Sequence, residues 1–76
     1  MRRREGGQPL RDVMKARKLG LEQVAALTKE IDGQGVSFQL VAFMATRKAY
    51  ARESLSERSA MLIEKALDVP PGTFFE

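Results

Sequence analysis

Eight consecutive residues, Phe38-Gln39-Leu40-Val41-Ala42-Phe43-Met44-Ala45, are apolar except for Gln39. Ser37 stands in front of them, and serine is a strong helix N-cap, so the stretch reads as a helix running to about Arg47. A helix that is apolar on nearly every side must be covered by the rest of its chain or by a partner. The chain has 76 residues, enough for one domain with a small core. The remaining segments must therefore wrap around this helix, and they are themselves helical in pattern. The fold class this predicts is all-α, a compact bundle of four to five short helices.

Residues 1–7, with Arg2, Arg3 and Arg4 followed by Glu-Gly-Gly, read as a flexible basic arm in front of a domain spanning residues 8–76. The first helix starts at Pro9, which suits an N-terminal helical position, and ends at Gly20. Leu10, Val13, Met14 and the stem of Arg17 share one face. The second helix runs from about Leu21 to Ile31, with Leu21, Val24, Ala25, Leu27, Thr28 and Ile31 in its stripe. Asp32-Gly33-Gln34-Gly35 is a turn by composition. Lys48 to Arg52 forms a polar connector or one more helical turn. Ser54 with Glu57 fits a capping box opening the fourth helix, whose buried face is Ala60, Met61, Leu62, Ile63 and Leu67. Val69-Pro70-Pro71-Gly72 stops it, and Phe74 and Phe75 can fold back on the core. Val24, Ala25, Val41, Met44, Ile63 and Leu67 are the expected centre of that core.

Composition removes several classes of function. There is no cysteine and no histidine. That leaves no disulfide, no thiolate, no ordinary zinc ligand set and none of the commonest general base. Carboxylates do not cluster on a loop as a calcium or magnesium site requires. Those present, Glu64 among them, are expected on solvent faces beside basic neighbours. No catalytic set can be assembled, and no cofactor, metal or small-molecule substrate is expected. No run approaches the ~20 apolar residues of a membrane span. Arg2-Arg3-Arg4 leads into Glu5-Gly6-Gly7 rather than an apolar run, which does not fit a secretory signal, so a cytoplasmic location is expected. The formal charge of +3 is unevenly placed. Arg2, Arg3, Arg4, Arg11, Lys15, Arg17 and Lys18 face only Glu5 and Asp12 near the front, and Arg47, Lys48 and Arg52 follow the apolar helix. Such a distribution suits polyanion binding, or else ordinary solubilising charge.

The order of motifs resembles the lambda-repressor-like (Cro-like) helix-turn-helix family over about residues 10–75. Leu19-Gly20-Leu21-Glu22-Gln23-Val24-Ala25 matches the Leu-x-x-x-x-Leu-Ala opening of the second helix. Gly35-Val36-Ser37 matches the turn before the recognition helix, and Val41 with Met44 matches its two inward aliphatics. Arg47-Lys48 matches the basic stretch beyond it, and Ala66-Leu67-Asp68-Val69 with Phe74 or Phe75 matches the family's ending. The chain departs from the pattern in three places. Lys29 to Gln34 reads as an insertion that lengthens the second helix and loosens the turn. Leu21 stands where the family has a phosphate-contacting glutamine, and Ala45 where it has an acid.

The resemblance implies sequence-specific binding of double-stranded DNA by a transcriptional regulator of the repressor kind. Phe38, Gln39, Ala42, Phe43 and Thr46 would face the major groove, and Ser37 would donate to a phosphate. Arg17, Arg47 and Lys48 would meet phosphates, and Arg2, Arg3 and Arg4 would track the duplex as an arm. Each has a plainer alternative. Gln39 is an adenine-reading amide or a solvated surface residue. Phe38 and Phe43 touch thymine methyls, stack on a partner or complete the core. Ser37 needs no role beyond capping. The rival function is a protein-interaction module of the same fold, of the antitoxin or anti-repressor type. Its apolar helix would then meet a protein partner or a second copy. Exposure of both phenylalanines would favour that rival.

Overall fold

A computed structural model describes all 76 residues, Met1–Glu76. The order of elements is a tight turn at Arg4–Gly7, then α1 (Gln8–Ala16), α2 (Leu21–Ile31), α3 (Phe38–Ala45) and α4 (Glu57–Ala66). The protein is an all-α bundle without strands, apart from isolated extended pairings of Arg2 with Ser54 and Arg3 with Phe75. Helix α2 packs on both α3 and α4, and α1 packs on α3. The centre of the core is Leu10, Val24, Val41, Met44, Ile63, Leu67, Phe74 and Phe75, each at most 1% exposed. The two C-terminal phenylalanines meet edge to face, 6.1 Å between ring centroids. Ala25 is only half-buried and Met61 is 47% exposed, so neither sits at the centre.

Local signals explain most boundaries. Ser37 caps α3 by accepting a hydrogen bond from Leu40 N at 3.2 Å. Helices α1 and α4 end in the same way. Leu19 N donates to Met14 O and Lys18 N to Lys15 O; Val69 N donates to Glu64 O and Asp68 N to Lys65 O. This is the Schellman pattern, with Lys18 (φ +55°) and Asp68 (φ +54°) in the left-handed position where glycine is favoured. Helix α1 therefore stops at Ala16, four residues before the glycine expected to end it. Gly20 instead opens α2, its N–H donating to the Gln23 side chain at 2.6 Å. The fourth helix starts later than Ser54. Leu55 is drawn into the core and exchanges backbone bonds with Met1, which holds Ser54 extended. Ser56 becomes the cap, accepting from Ser59 N at 3.1 Å. The connector after α3 is a turn at Lys48–Ala51 rather than more helix.

Three expectations are corrected. The segment Lys29 to Gln34 does not loosen the turn. Thr28 is fully buried, and its hydroxyl donates to Ala25 O at 2.6 Å and accepts from Val36 N at 2.8 Å. Gly35 (φ +66°) lies so close that a Cβ there would sit 2.9 Å from Lys29 Cα. Residues 1–7 do not form a free arm. Arg2 and Glu76 exchange backbone bonds of 2.7 Å, Arg3 N donates to Glu53 O, and Arg4 N donates to Phe74 O. This threads the segment between residues 53–55 and the C-terminal phenylalanines. Finally, Glu64 is not on a solvent face. It is 2% exposed, and its Oε2 accepts from Gly72 N, Phe74 N and Phe75 N at 3.0, 2.9 and 3.4 Å. One buried carboxylate thus gathers the tail that closes the core.

Two substitutions separate these contributions. Val41→Ala should lower stability by about 1–3 kcal/mol through lost burial and the cavity left behind. Glu64→Ala should cost about 3 kcal/mol, because it strands buried amide donors rather than merely removing contacts. Urea unfolding followed by circular dichroism checks both.

Candidate nucleic-acid interface

The C-terminal end of α3 organises the charged part of the molecule. That helix has no basic residue in its own last turn, so its final carbonyls need donors from elsewhere. Arg3 supplies one set: its Nη1 donates to Met44 O at 3.0 Å and Thr46 O at 2.7 Å. Its Nε and Nη2 hold Glu53 Oε2 at 2.8 and 2.6 Å. Arg11, from α1, supplies the other: its Nη1 donates to Ala45 O at 2.6 Å and Gly6 O at 2.7 Å, and its Nη2 to Gln8 Oε1 at 2.9 Å. Burial first, and then the charges of Arg47 and Arg3, push the Arg11 guanidinium below its ordinary value, with Asp12 opposing. An arginine keeps its charge even so. Gly7 (φ +84°) makes the convergence possible, since a Cβ there would stand 2.4 Å from Met44 O.

This arrangement redistributes the candidate residues. Arg3, only 8% exposed, is an internal cap and is not available to a phosphate. Arg4 bonds Gly72 O at 2.6 Å and pairs with Glu76 at 3.1 Å. Arg17 donates to Leu67 O at the end of α4, away from the turn and α3. Among the first three arginines Arg3 alone is buried: Arg2 is exposed, and the Arg4 side chain stays 42% exposed although it is engaged by Gly72 and Glu76. Thr46 gives its carbonyl to Arg3, and its hydroxyl accepts from Lys48 N at 3.1 Å.

The remaining candidate residues lie on two adjoining surfaces. The first is a polar groove between α1 and the segment after α3, lined by Gln8, Arg11, Asp12, Lys15, Thr46, Arg47 and Lys48. Four cations face one carboxylate there. Arg47 reaches across to Gln8 Oε1, while Lys15 and Lys48 are exposed. The second surface is the outer side of α3. Gln39 is exposed, and Phe38 is 47% exposed beside Leu21 and Gln23 at the start of α2. Ala42 is half-buried. Phe43 is also half-buried, with the Tyr50 ring edge-on at 6.0 Å and the Arg52 guanidinium 6.0 Å from its centroid. The two phenylalanines thus part company: Phe38 faces outward and Phe43 is partly covered by the connector.

Sequence reasoning missed Gln8, Arg11, Lys15 and Tyr50. Gln8, Arg11 and Lys15 share one face of α1 at helical spacing, a signal hidden by the assumption that the basic arm was the charged element. Tyr50 sits in a connector without periodicity, and nothing local marks it. No group of three or more metal-ligating side chains occurs, and no helix is long and apolar enough to cross a membrane. Comparison with family models, curated proteins and solved structures returns no match.

The capping role of Arg3 can be checked against its exposed neighbour. Arg3→Met should destabilise the fold by about 2–3 kcal/mol, since carbonyls of α3 and Glu53 lose their partner. Arg2→Ala should stay within about 0.5 kcal/mol. Denaturant melts of the two variants should differ accordingly.

Proposed function

We propose that the chain is a sequence-specific double-stranded DNA-binding protein of the helix-turn-helix kind, acting as a cytoplasmic transcriptional regulator in the manner of a repressor. The observation that carries this reading is the juxtaposition at α3. An exposed amide, Gln39, lies on the outer face of a helix whose far end opens onto a groove with four cations and one carboxylate. Helix α2 and the closed turn before Ser37 hold α3 against the core by Val41 and Met44, with Phe38 and Gln39 exposed and Ala42 half-buried on its outer side. Gln39 suits an adenine edge, and Lys15, Arg47 and Lys48 suit backbone phosphates. Base contacts then specify and the lysines and arginine position.

The protein-interaction reading keeps one observation in its favour: Phe38 and Tyr50 are 47% and 56% exposed. A binding selection on random duplexes, repeated across salt, decides between the two. DNA binding predicts an enriched site and an affinity that falls steeply with salt through counterion release. Absence of enrichment, with no salt-dependent binding, would leave the protein partner.

Two variants then have opposite signatures. Lys48→Ala should weaken binding to all duplexes about equally and reduce the slope of log affinity against log salt by about 1. Gln39→Ala should relax preference at one base pair, worth about 1–3 kcal/mol of discrimination. Titration of selected and scrambled duplexes reads both effects.

A further inference from the structure

We infer that α3 reads thymine by its methyl group, and that the receiving site is the depression formed by Met14, Leu21, Ala42, Ala45 and Tyr50. The inference rests on the DNA-binding reading above and names what that surface recognises. The outer face of α3 has one hydrogen-bonding amide, Gln39, and is otherwise Phe38, Ala42 and Phe43. Such a face cannot discriminate bases mainly by donors and acceptors. In the major groove the other source of sequence information is apolar contact with the thymine C5 methyl.

The depression has the composition for that contact. Its volume is about 300 Å³, and its lining is apolar except for Arg11 and Thr46. Those same two residues also line the basic groove, so the apolar and cationic surfaces are continuous. That continuity favours DNA over an apolar protein segment as the occupant. A methyl in the depression would have its strand's phosphates beside Lys15, Arg47 and Lys48. Tyr50 forms the outer wall, although it comes from the connector rather than the helix. Its ring is fixed edge-on to Phe43, with centroids 6.0 Å apart and planes at 68°. Phe43 thereby acts as a positioning residue for the wall, which accounts for its partial burial.

The test uses the full chain and duplexes from the random selection. Each thymine is replaced in turn by deoxyuridine, which removes only the methyl. At one or two positions affinity should fall about fourfold, equivalent to the ~0.8 kcal/mol of one buried methyl-sized group. Tyr50→Ala and Ala42→Ser should each erase that difference between thymine and uracil, while the salt slope stays unchanged. Circular dichroism melts confirm that both variants fold; should one fail, the other still decides. If uracil duplexes bind as tightly as thymine duplexes at every position, methyl reading is overturned although DNA binding stands, and the depression is left to a protein segment. If the fourfold loss persists undiminished in the folded variants, the methyl is read elsewhere and the assignment of this depression falls. If no duplex is enriched at all, the DNA reading itself fails and this inference fails with it.

Discussion

The last carbonyls of α3 depend on guanidinium groups brought from other parts of the chain. A helix of eight residues with an apolar last turn cannot terminate itself. Met44, Ala45 and Thr46 present their oxygens to Arg3 and Arg11, which places cations where the helix dipole favours them. Much of the architecture follows from that requirement. Arg3 can reach α3 only because residues 1–4 lie between Glu53–Leu55 and Phe74–Glu76, fixed there by backbone bonds on both sides. Gly7 has to be glycine because its φ is +84° and a Cβ there would stand 2.4 Å from Met44 O and within 3.2 Å of both guanidiniums. Arg3, which the sequence offered as a phosphate ligand, is thereby committed inside the fold, while half-buried Arg11 directs its guanidinium to Ala45 O and Gly6 O at the edge of the groove. The cations left exposed along the groove are Lys15, Arg47 and Lys48.

The parts legible in the sequence were those set by local chemistry. Helix α2 has the bounds its apolar stripe gives, and Ser37 caps α3 as its side chain suggests. Val24, Val41, Met44, Ile63 and Leu67 are buried because helical periodicity and volume dictate it. The parts that were not legible depend on residues distant in sequence. Three successive arginines look alike, yet Arg3 is buried and Arg2 exposed, a distinction made by Glu53 and by α3's end some forty residues away. Glu64 sits in a helix among ordinary charged residues, and only the return of Phe74 and Phe75 turns it into a buried acceptor. The glycine Gly20 marks a boundary correctly, but on the other helix, because Lys18 accepts the left-handed conformation two residues earlier.

At the candidate interface, the connector changes what α3 can present. Arg52 N donates to Phe43 O, and Tyr50 and Arg52 both approach the Phe43 ring. The outer face of the helix is therefore a composite: Phe38 and Gln39 from its first turn, Ala42 in the middle, and the connector's Tyr50 over its final turn. Apolar pattern alone suggested a helix awaiting a partner. The connector meets part of that need within the chain and leaves the first turn free, which is the end nearest the start of α2.

Buried polar groups in this domain tie loops to helix ends. Thr28 holds the turn to α3, Arg3 and Arg11 hold the N-terminal segment, and Glu64 holds the C-terminal tail. Each bonds backbone amides or carbonyls that would otherwise be buried without partners, which would cost more than the bond itself contributes. Exposed ion pairs such as Arg58–Asp32 at 3.1 Å can add only a little to this. For a chain too short to cover long loops with core, such side-chain-to-backbone bonds are what make the connections single-valued. The orientation of Gln39, Phe38 and Tyr50 relative to the basic groove is then set by two clamps at the ends of α3. Thr28 and Ser37 fix where the helix begins, and Arg3 with Arg11 fixes where it ends. A substitution of Thr28, Arg3 or Arg11 therefore shifts the outer face of α3 without touching a residue on it.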